Sequence, residues 1–360
     1  MSRMGLRQVL VGAAAALAFA GAAVAQQPLK IGFVYVSPVG DAGWTYQHDL
    51  GRKAIEKQFG GKIATKYVEN VPEGADAERV IRELAASGNT LVFTTSFGYM
   101  NPTIKVAKAF PKVHFEHATG YKRDKNVGTY NARFYEGRYL AGIVAGKMSK
   151  SGVAGYVAAF PIPEVLQGIN AFTRGMQSVN PKAQVRVIWV NSWYDPGRER
   201  EAAMTLISQG ADVLMQHTDS TAPVQAAEEK GVYAIGYHSD MSKYGPKAHL
   251  TASTHDWSGF YAKVVSDELA GKYQPSNVWG GIKEGMVKMA PYNAAVPKDV
   301  RDLVAKAESD IAAGKLHPFA GPLKDQSGKE RVPAGKSMPD DQLAVMDYYV
   351  EGVQGQLPKK

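Results

Sequence analysis

The sequence predicts an α/β protein made of two doubly wound parallel sheets, and three observations lead to that reading. Short β-rich apolar runs alternate with helical patterns through most of the chain. The alternation runs for about four units, pauses, and restarts. A chain of 360 residues also exceeds what one hydrophobic core usually organises, so two lobes are expected.

In order along the first half, residues 31–36, the neighbourhood of Val68, 90–95 and 113–115 read as buried strands. Between them, residues 46–59, 75–87 and 101–110 carry apolar side chains at three- and four-residue spacing, as at Val80, Ile81, Leu84 and Ala85. Residues 138–147 lie near the first passage between lobes. The second half repeats the rhythm, with strands at 153–159, 185–190, 212–215 and 232–235 and helices at 169–179, 199–209 and 223–230. Beyond Thr254 the pattern weakens, with one further helix at 257–270, a Pro-, Gly- and Lys-rich excursion over 322–339, and a last helix near 342–353. The lobes are expected at 26–132 plus about 256–285, and at 133–255 plus about 286–360.

The first 25 residues read as a cleavable leader rather than part of the fold. Arg3 and Arg7 precede an apolar run over 9–20, and Ala23-Val24-Ala25 has the small-x-small pattern of a processing site before Gln26. No cysteine is present, which excludes disulfides, zinc–thiolate sites, a thiol nucleophile and a lipidated cysteine at that cleavage point. Export to the periplasm without a lipid anchor is therefore expected. The formal charge is +8, from 42 basic and 34 acidic residues. Losing the two leader arginines leaves 40 against 34, or +6. The charges are interspersed, as in Arg198-Glu199-Arg200-Glu201, which fits a solvated surface better than a nucleic-acid face.

Catalytic signatures are missing: there is no Gly-x-Ser-x-Gly elbow, no Gly-x-Gly-x-x-Gly turn and no phosphate loop ending in Gly-Lys-Ser/Thr. The nearest thing to a metal cluster is His114, Glu116 and His117. On a strand the first two share a face and the third points away, so a structural pair is the better reading. No enzyme activity, metal or cofactor is expected.

In doubly wound sheets, ligands gather at the loops that leave the carboxyl ends of strands. Here those loops repeatedly carry aromatic and polar residues: Gly40-Asp41-Ala42-Gly43-Trp44, Ser96-Phe97-Gly98-Tyr99, Asn191-Ser192-Trp193-Tyr194-Asp195 and Tyr237-His238-Ser239-Asp240. Trp44 and Trp193, one from each half, are suited to sandwich a flat ring, with Asp41 and Asp240 reading its edges. Ordinary core packing is the alternative for each tryptophan alone.

Taken together, these residues resemble the basic membrane protein (BMP) family of ABC-transporter substrate-binding proteins, which includes purine nucleoside receptors. The likeness spans essentially the whole chain after the leader. It is carried by Gly40-Asp41-Ala42-Gly43-Trp44, Val106-Ala107-Lys108-Ala109-Phe110-Pro111, Glu136-Gly137-Arg138-Tyr139-Leu140-Ala141-Gly142, Gly210-Ala211-Asp212-Val213-Leu214, Ala234-Ile235-Gly236-Tyr237-His238-Ser239-Asp240 and Gly281-Ile282-Lys283-Glu284-Gly285. The resemblance implies a type I periplasmic-binding-protein fold that closes on ligand and hands it to a membrane permease. It implies ligand roles for Asp41, Trp44, Trp193 and Lys283, the two tryptophans standing where the family usually has phenylalanine. His238 stands where nucleoside receptors carry an aspartate suited to sugar hydroxyls, which points to a bare purine base, adenine first. Phe97, Asn131, Glu164 and Asp240 complete the expected ligand set. For Asn131 and Glu164, helix capping and surface solvation are the alternatives. A receptor for a sugar or other polar solute, and a secreted nucleoside hydrolase or phosphorylase, are the competing functions. A monomer that binds no nucleic acid is expected.

Overall fold

A computed structural model describes residues 27–358; the leader expected at 1–25 lies outside them. Two sheets organise the chain. The first contains β1 (Leu29–Val34), β2 (Ile63–Val68), β3 (Leu91–Thr94), β4 (His114–Ala118) and β5 (Val127–Ala132). The second contains β6 (Val153–Ala158), β7 (Gln184–Trp189), β8 (Val213–His217), β9 (Tyr233–His238) and β10 (His249–His255). The chain then returns to the first sheet as β11 (Asn277–Gly280) and to the second as β12 (Val287–Met289). A small hairpin, β13 (Leu323–Lys324) and β14 (Glu330–Val332), precedes the final strand β15 (Val353–Gln354).

The strand orders are β11-β5-β4-β3-β1-β2 and β12-β10-β9-β8-β6-β7-β15. Within these two sheets every pairing is parallel except that of β10 with β12. Parallel strands are covered by helices on both faces, which is why Ile31, Phe33 and Val34 form a continuous buried run rather than an alternating one. In both sheets the winding reverses beside the first strand of the lobe, between β1 and β3 and between β6 and β8. Crevices form at such reversals. The chain passes between sheets three times, after β5, after β10 and after β11.

The first passage leads into the helix Phe134–Met148, which is buried along most of its length against the helix Pro163–Val179. Their backbones nearly touch: a methyl group on Gly142 would overlap Phe172 O, and one on Gly175 would overlap Tyr139 O.

The structure departs from expectation in three places. The expected helix near 342–353 is a single turn, Asp340–Leu343, followed by extended chain and β15. Asn170 holds that stretch extended, accepting from Val350 N at 3.0 Å and donating to Tyr348 O at 2.8 Å. The helix Lys298–Ala312 lies where the sequence pattern weakens, and only Val300, Val304 and Ile311 anchor it in the core. β10 was hidden because Thr251, Ser253 and His255 are polar yet buried. His114 and Glu116 do share a face, bonded to Glu268 at 2.7 Å and to the Tyr273 hydroxyl at 2.8 Å, while His117 bonds Thr94 at 3.0 Å.

Because the two helices leave no room for a side chain at their crossing, Gly142→Ala should destabilise the protein by about 1–3 kcal/mol. Denaturant unfolding would show it as a lower midpoint with an unchanged slope.

Candidate ligand-binding site

The two strand reversals face each other, and a small cavity lies between them. The first lobe contributes Val36, Trp44, Ser96, Phe97 and Thr119; the second contributes Ile162, Glu164, Trp193, His217, Asp219 and Tyr237. All lie at the carboxyl end of a parallel strand, in the loop that follows it or in the first turn of the next helix. Several of the strand-end turns are sharp. Among the described residues, Asn70, Thr119, Asn191 and His238 are the non-glycine residues with left-handed φ, and each stands within two residues of the end of a strand.

Trp44 sits at the start of the helix Gly43–Phe59 and donates its indole N–H to Thr95 O at 2.7 Å. Its ring packs edge-on against His48 and close to His238, His255 and Trp257, so the packing fixes its orientation. Trp193 occupies the short link between β7 and the helix Pro196–Ser208, whose N-terminus is capped by Asp195 accepting from Arg198 N at 3.0 Å. Its indole N–H reaches across the cleft to Glu73 at 3.2 Å. Glu73 is itself held in the first lobe by Ser96 Oγ at 2.5 Å and Gly98 N at 2.9 Å. Phe160 packs edge-on against the Trp193 ring.

The polar end of the cavity is built from Glu164, His217 and Asp219. Burial pushes the Glu164 carboxyl up to about 8, with the Arg138 charge opposing, and the Asp219 carboxyl up to about 7. Burial also drives His217 and His238 well below the ordinary histidine value, assisted by the Arg138 guanidinium, so both rings are neutral. Glu164 Oε2 and His217 Nδ1 are buried without a hydrogen-bond partner among the described residues. Each such group costs on the order of 1–3 kcal/mol until something satisfies it.

Glu164, His217 and His238 bring ligand-type atoms within 4.8 Å of one another. Arg138 Nη2 lies 3.5 Å from His238 Nε2, and a fixed positive charge so close opposes a cation there.

The expected ligand residues divide into three groups. Trp44, Phe97, Glu164 and Trp193 line the cavity together. Asn131 lies in a wider adjoining chamber, which shares the walls Phe97, Thr119 and Glu164. His238 is fully buried behind the cavity, with Nδ1 2.9 Å from His255 Nδ1. Asp41, Asp240 and Lys283 do not line it. Asp41 precedes the helix and is exposed at the cleft mouth, paired with Lys243 and Tyr244 of the other lobe. Asp240 turns back on its own loop to accept from Ser242 N at 2.8 Å, and Lys283 is exposed between β11 and β12. Sequence reasoning missed His217 and Asp219. They end and follow β8, so the same strand-end rule would have found them had that strand been read two residues longer.

A family model described as ABC transporter substrate-binding protein PnrA-like matches residues 29–314. A purine-binding protein of Brucella abortus is 52% identical over 98% of this chain and 100% of its own length. A protein of Haloferax volcanii, provisionally described as an ABC-transporter glucose-binding protein, is 38% identical over 92% of this chain and 82% of its own. In fold, the chain resembles an ABC-transporter solute-binding protein of Aeropyrum pernix, with a TM-score of 0.71 at 18% identity over 84% of this chain and 95% of that one. With strand-end loops of two lobes enclosing one cavity, and with these matches, the chain belongs to the PnrA-like family of ABC-transporter substrate-binding proteins.

Proposed function

We propose that the protein captures a purine base, adenine first, between Trp44 and Trp193, with Glu164 and His217 at the edge of the ring. The observation that carries this reading is the pairing of one tryptophan from each lobe across a single cavity whose polar end holds buried, unpartnered hydrogen-bonding atoms. Stacking on an aromatic face adds about 1 kcal/mol beyond area burial. A neutral carboxyl offers one donor and one acceptor side by side, as does an adenine edge. The name of the Brucella abortus relative supports a purine. Preference for the base over the nucleoside is inferred from the family resemblance, in which His238 stands in place of an aspartate suited to sugar hydroxyls. Export through the leader, a monomeric state and delivery to a membrane permease complete the proposal. Among the described residues no helix is long and apolar enough to cross a membrane.

A sugar is the second reading, because the adjoining chamber is lined by the carboxamides Asn131, Gln167 and Asn277 and by Arg133. Much of that polar capacity is already committed, however. Gln167 donates to Leu343 O at 2.7 Å, Asn277 accepts from Thr129 at 3.0 Å, and Arg133 pairs with Asp340 at 2.7 Å.

Calorimetric titration of refolded, ligand-stripped protein with adenine, hypoxanthine, adenosine, ribose and glucose tests the proposal. Adenine should bind tightest and adenosine at least about tenfold more weakly. Tight adenosine binding would overturn the base preference, and binding of glucose alone would overturn the purine. Trp193→Ala should weaken adenine binding by about ten- to a hundredfold, or roughly 1–3 kcal/mol.

A second test concerns Glu164. Its folded-state value is raised, so its contribution to stability is complete below the unfolded carboxyl value and is lost as pH rises towards about 8. Glu164→Gln cannot lose a proton. Denaturant unfolding between pH 5 and 8 should show the variant gaining on wild type, by up to about 1.4 kcal/mol per pH unit. A pH-independent difference would show that the carboxyl is solvated in the folded protein.

A further inference from the structure

The geometry points to Asp219 as the positioning residue that closes the lobes and sets the gap between the two tryptophans. This rests on reading Trp44 and Trp193 as the ligand platforms. The helix Gly43–Phe59 begins without a side-chain cap of its own: Ala42 stands at the cap position. The missing cap comes from the other lobe. The Asp219 carboxylate accepts from Trp44 N, from Thr45 N at 3.4 Å and from Ser37 Oγ. A helix N-terminus offers unpaired N–H groups and a positive dipole end, both suited to a carboxylate.

Asp219 also holds the second platform. Its own backbone N–H donates to Trp193 O at 2.8 Å. One residue therefore binds the backbone of Trp44 with its side chain and that of Trp193 with its main chain. The loop around it is rigid, because the buried Glu199 accepts from Ser220 Oγ at 2.5 Å and from Asp195 N at 2.9 Å. Gly43 supplies an independent mark of the docking. A side chain there would overlap Asp219 Oδ1, and its φ of +91° already suits glycine. The neighbouring Gly43 N–H donates to Ser239 Oγ at 2.6 Å, again across the cleft. The bonds of the Asp219 carboxylate to Ser37, Trp44 and Thr45, and that of Gly43 to Ser239, join the lobes, so they exist only when the cleft is closed.

The test uses cross-linking and affinity together. The sequence has no cysteine, so Asp41→Cys and Lys243→Cys place unique thiols on either side of the cleft mouth. A short bismaleimide then reports how often the lobes meet in ligand-free protein. Asp219→Asn and, on the opposite lobe, Ser37→Ala should each slow cross-linking by about tenfold. In a double-mutant cycle for adenine affinity, each substitution alone should weaken binding about tenfold, and the pair together no more than the worse single. Unchanged cross-linking rates, or additive losses in affinity, would overturn the inference. If wild type fails to bind adenine, the purine reading falls, while the ligand-free cross-linking still decides the role of Asp219.

Discussion

The structure depends on one constraint, that a parallel strand delivers its following loop to one edge of its sheet. Both sheets wind from their first strand in opposite directions, so each opens a crevice at that edge. Three passages of chain between the sheets hold the two edges face to face. Everything that touches the cavity follows from this arrangement. Trp44, Phe97, Glu164, Trp193 and His217 come from separate stretches of sequence and share only their place in the connections that leave strand ends.

That constraint explains what could be read from the sequence. The apolar spacing at Val80, Ile81, Leu84 and Ala85 marks a helix because the side of it facing the sheet must be dry. Strand-end loops rich in aromatic and polar residues marked Trp44, Phe97 and Trp193. The same rule misplaced Asp41, because chain order does not tell which side of a loop faces inward. Two residues before the helix begins, its carboxylate points out of the mouth toward Lys243. Reading β8 to its end would have placed Asp219 at the cavity, but its capping role is defined by the other lobe. Nothing within Gln216-His217-Thr218-Asp219-Ser220 reveals that an uncapped helix lies opposite. β10 and the extended tail were illegible for a related reason: their polar groups are buried by tertiary partners such as Ala290 and Asn170, which local patterning does not contain.

The polar floor of the cleft is also unusual in its electrostatics. Arg138 is fully buried, yet its hydrogen bonds to Ser253 O and His238 Nε2 are long, at 3.5 Å each. Around it lie His217, His238 and His255, all pushed toward the neutral form by burial, and the Tyr237 ring 5.3 Å from its guanidinium carbon. The cation is thus surrounded by neutral rings, and its long hydrogen bonds leave much of its donor capacity unspent.

The strand β15 adds a dimension of time. It pairs with β7 through Val353 and Val185, residues far apart in the chain, and so covers an otherwise open sheet edge. The second sheet cannot be finished until residue 354 has been made, long after β6 to β10 have emerged. Closing that edge with a segment so distant in sequence is a long-range pairing, and such pairings pay their loop-closure entropy late in folding.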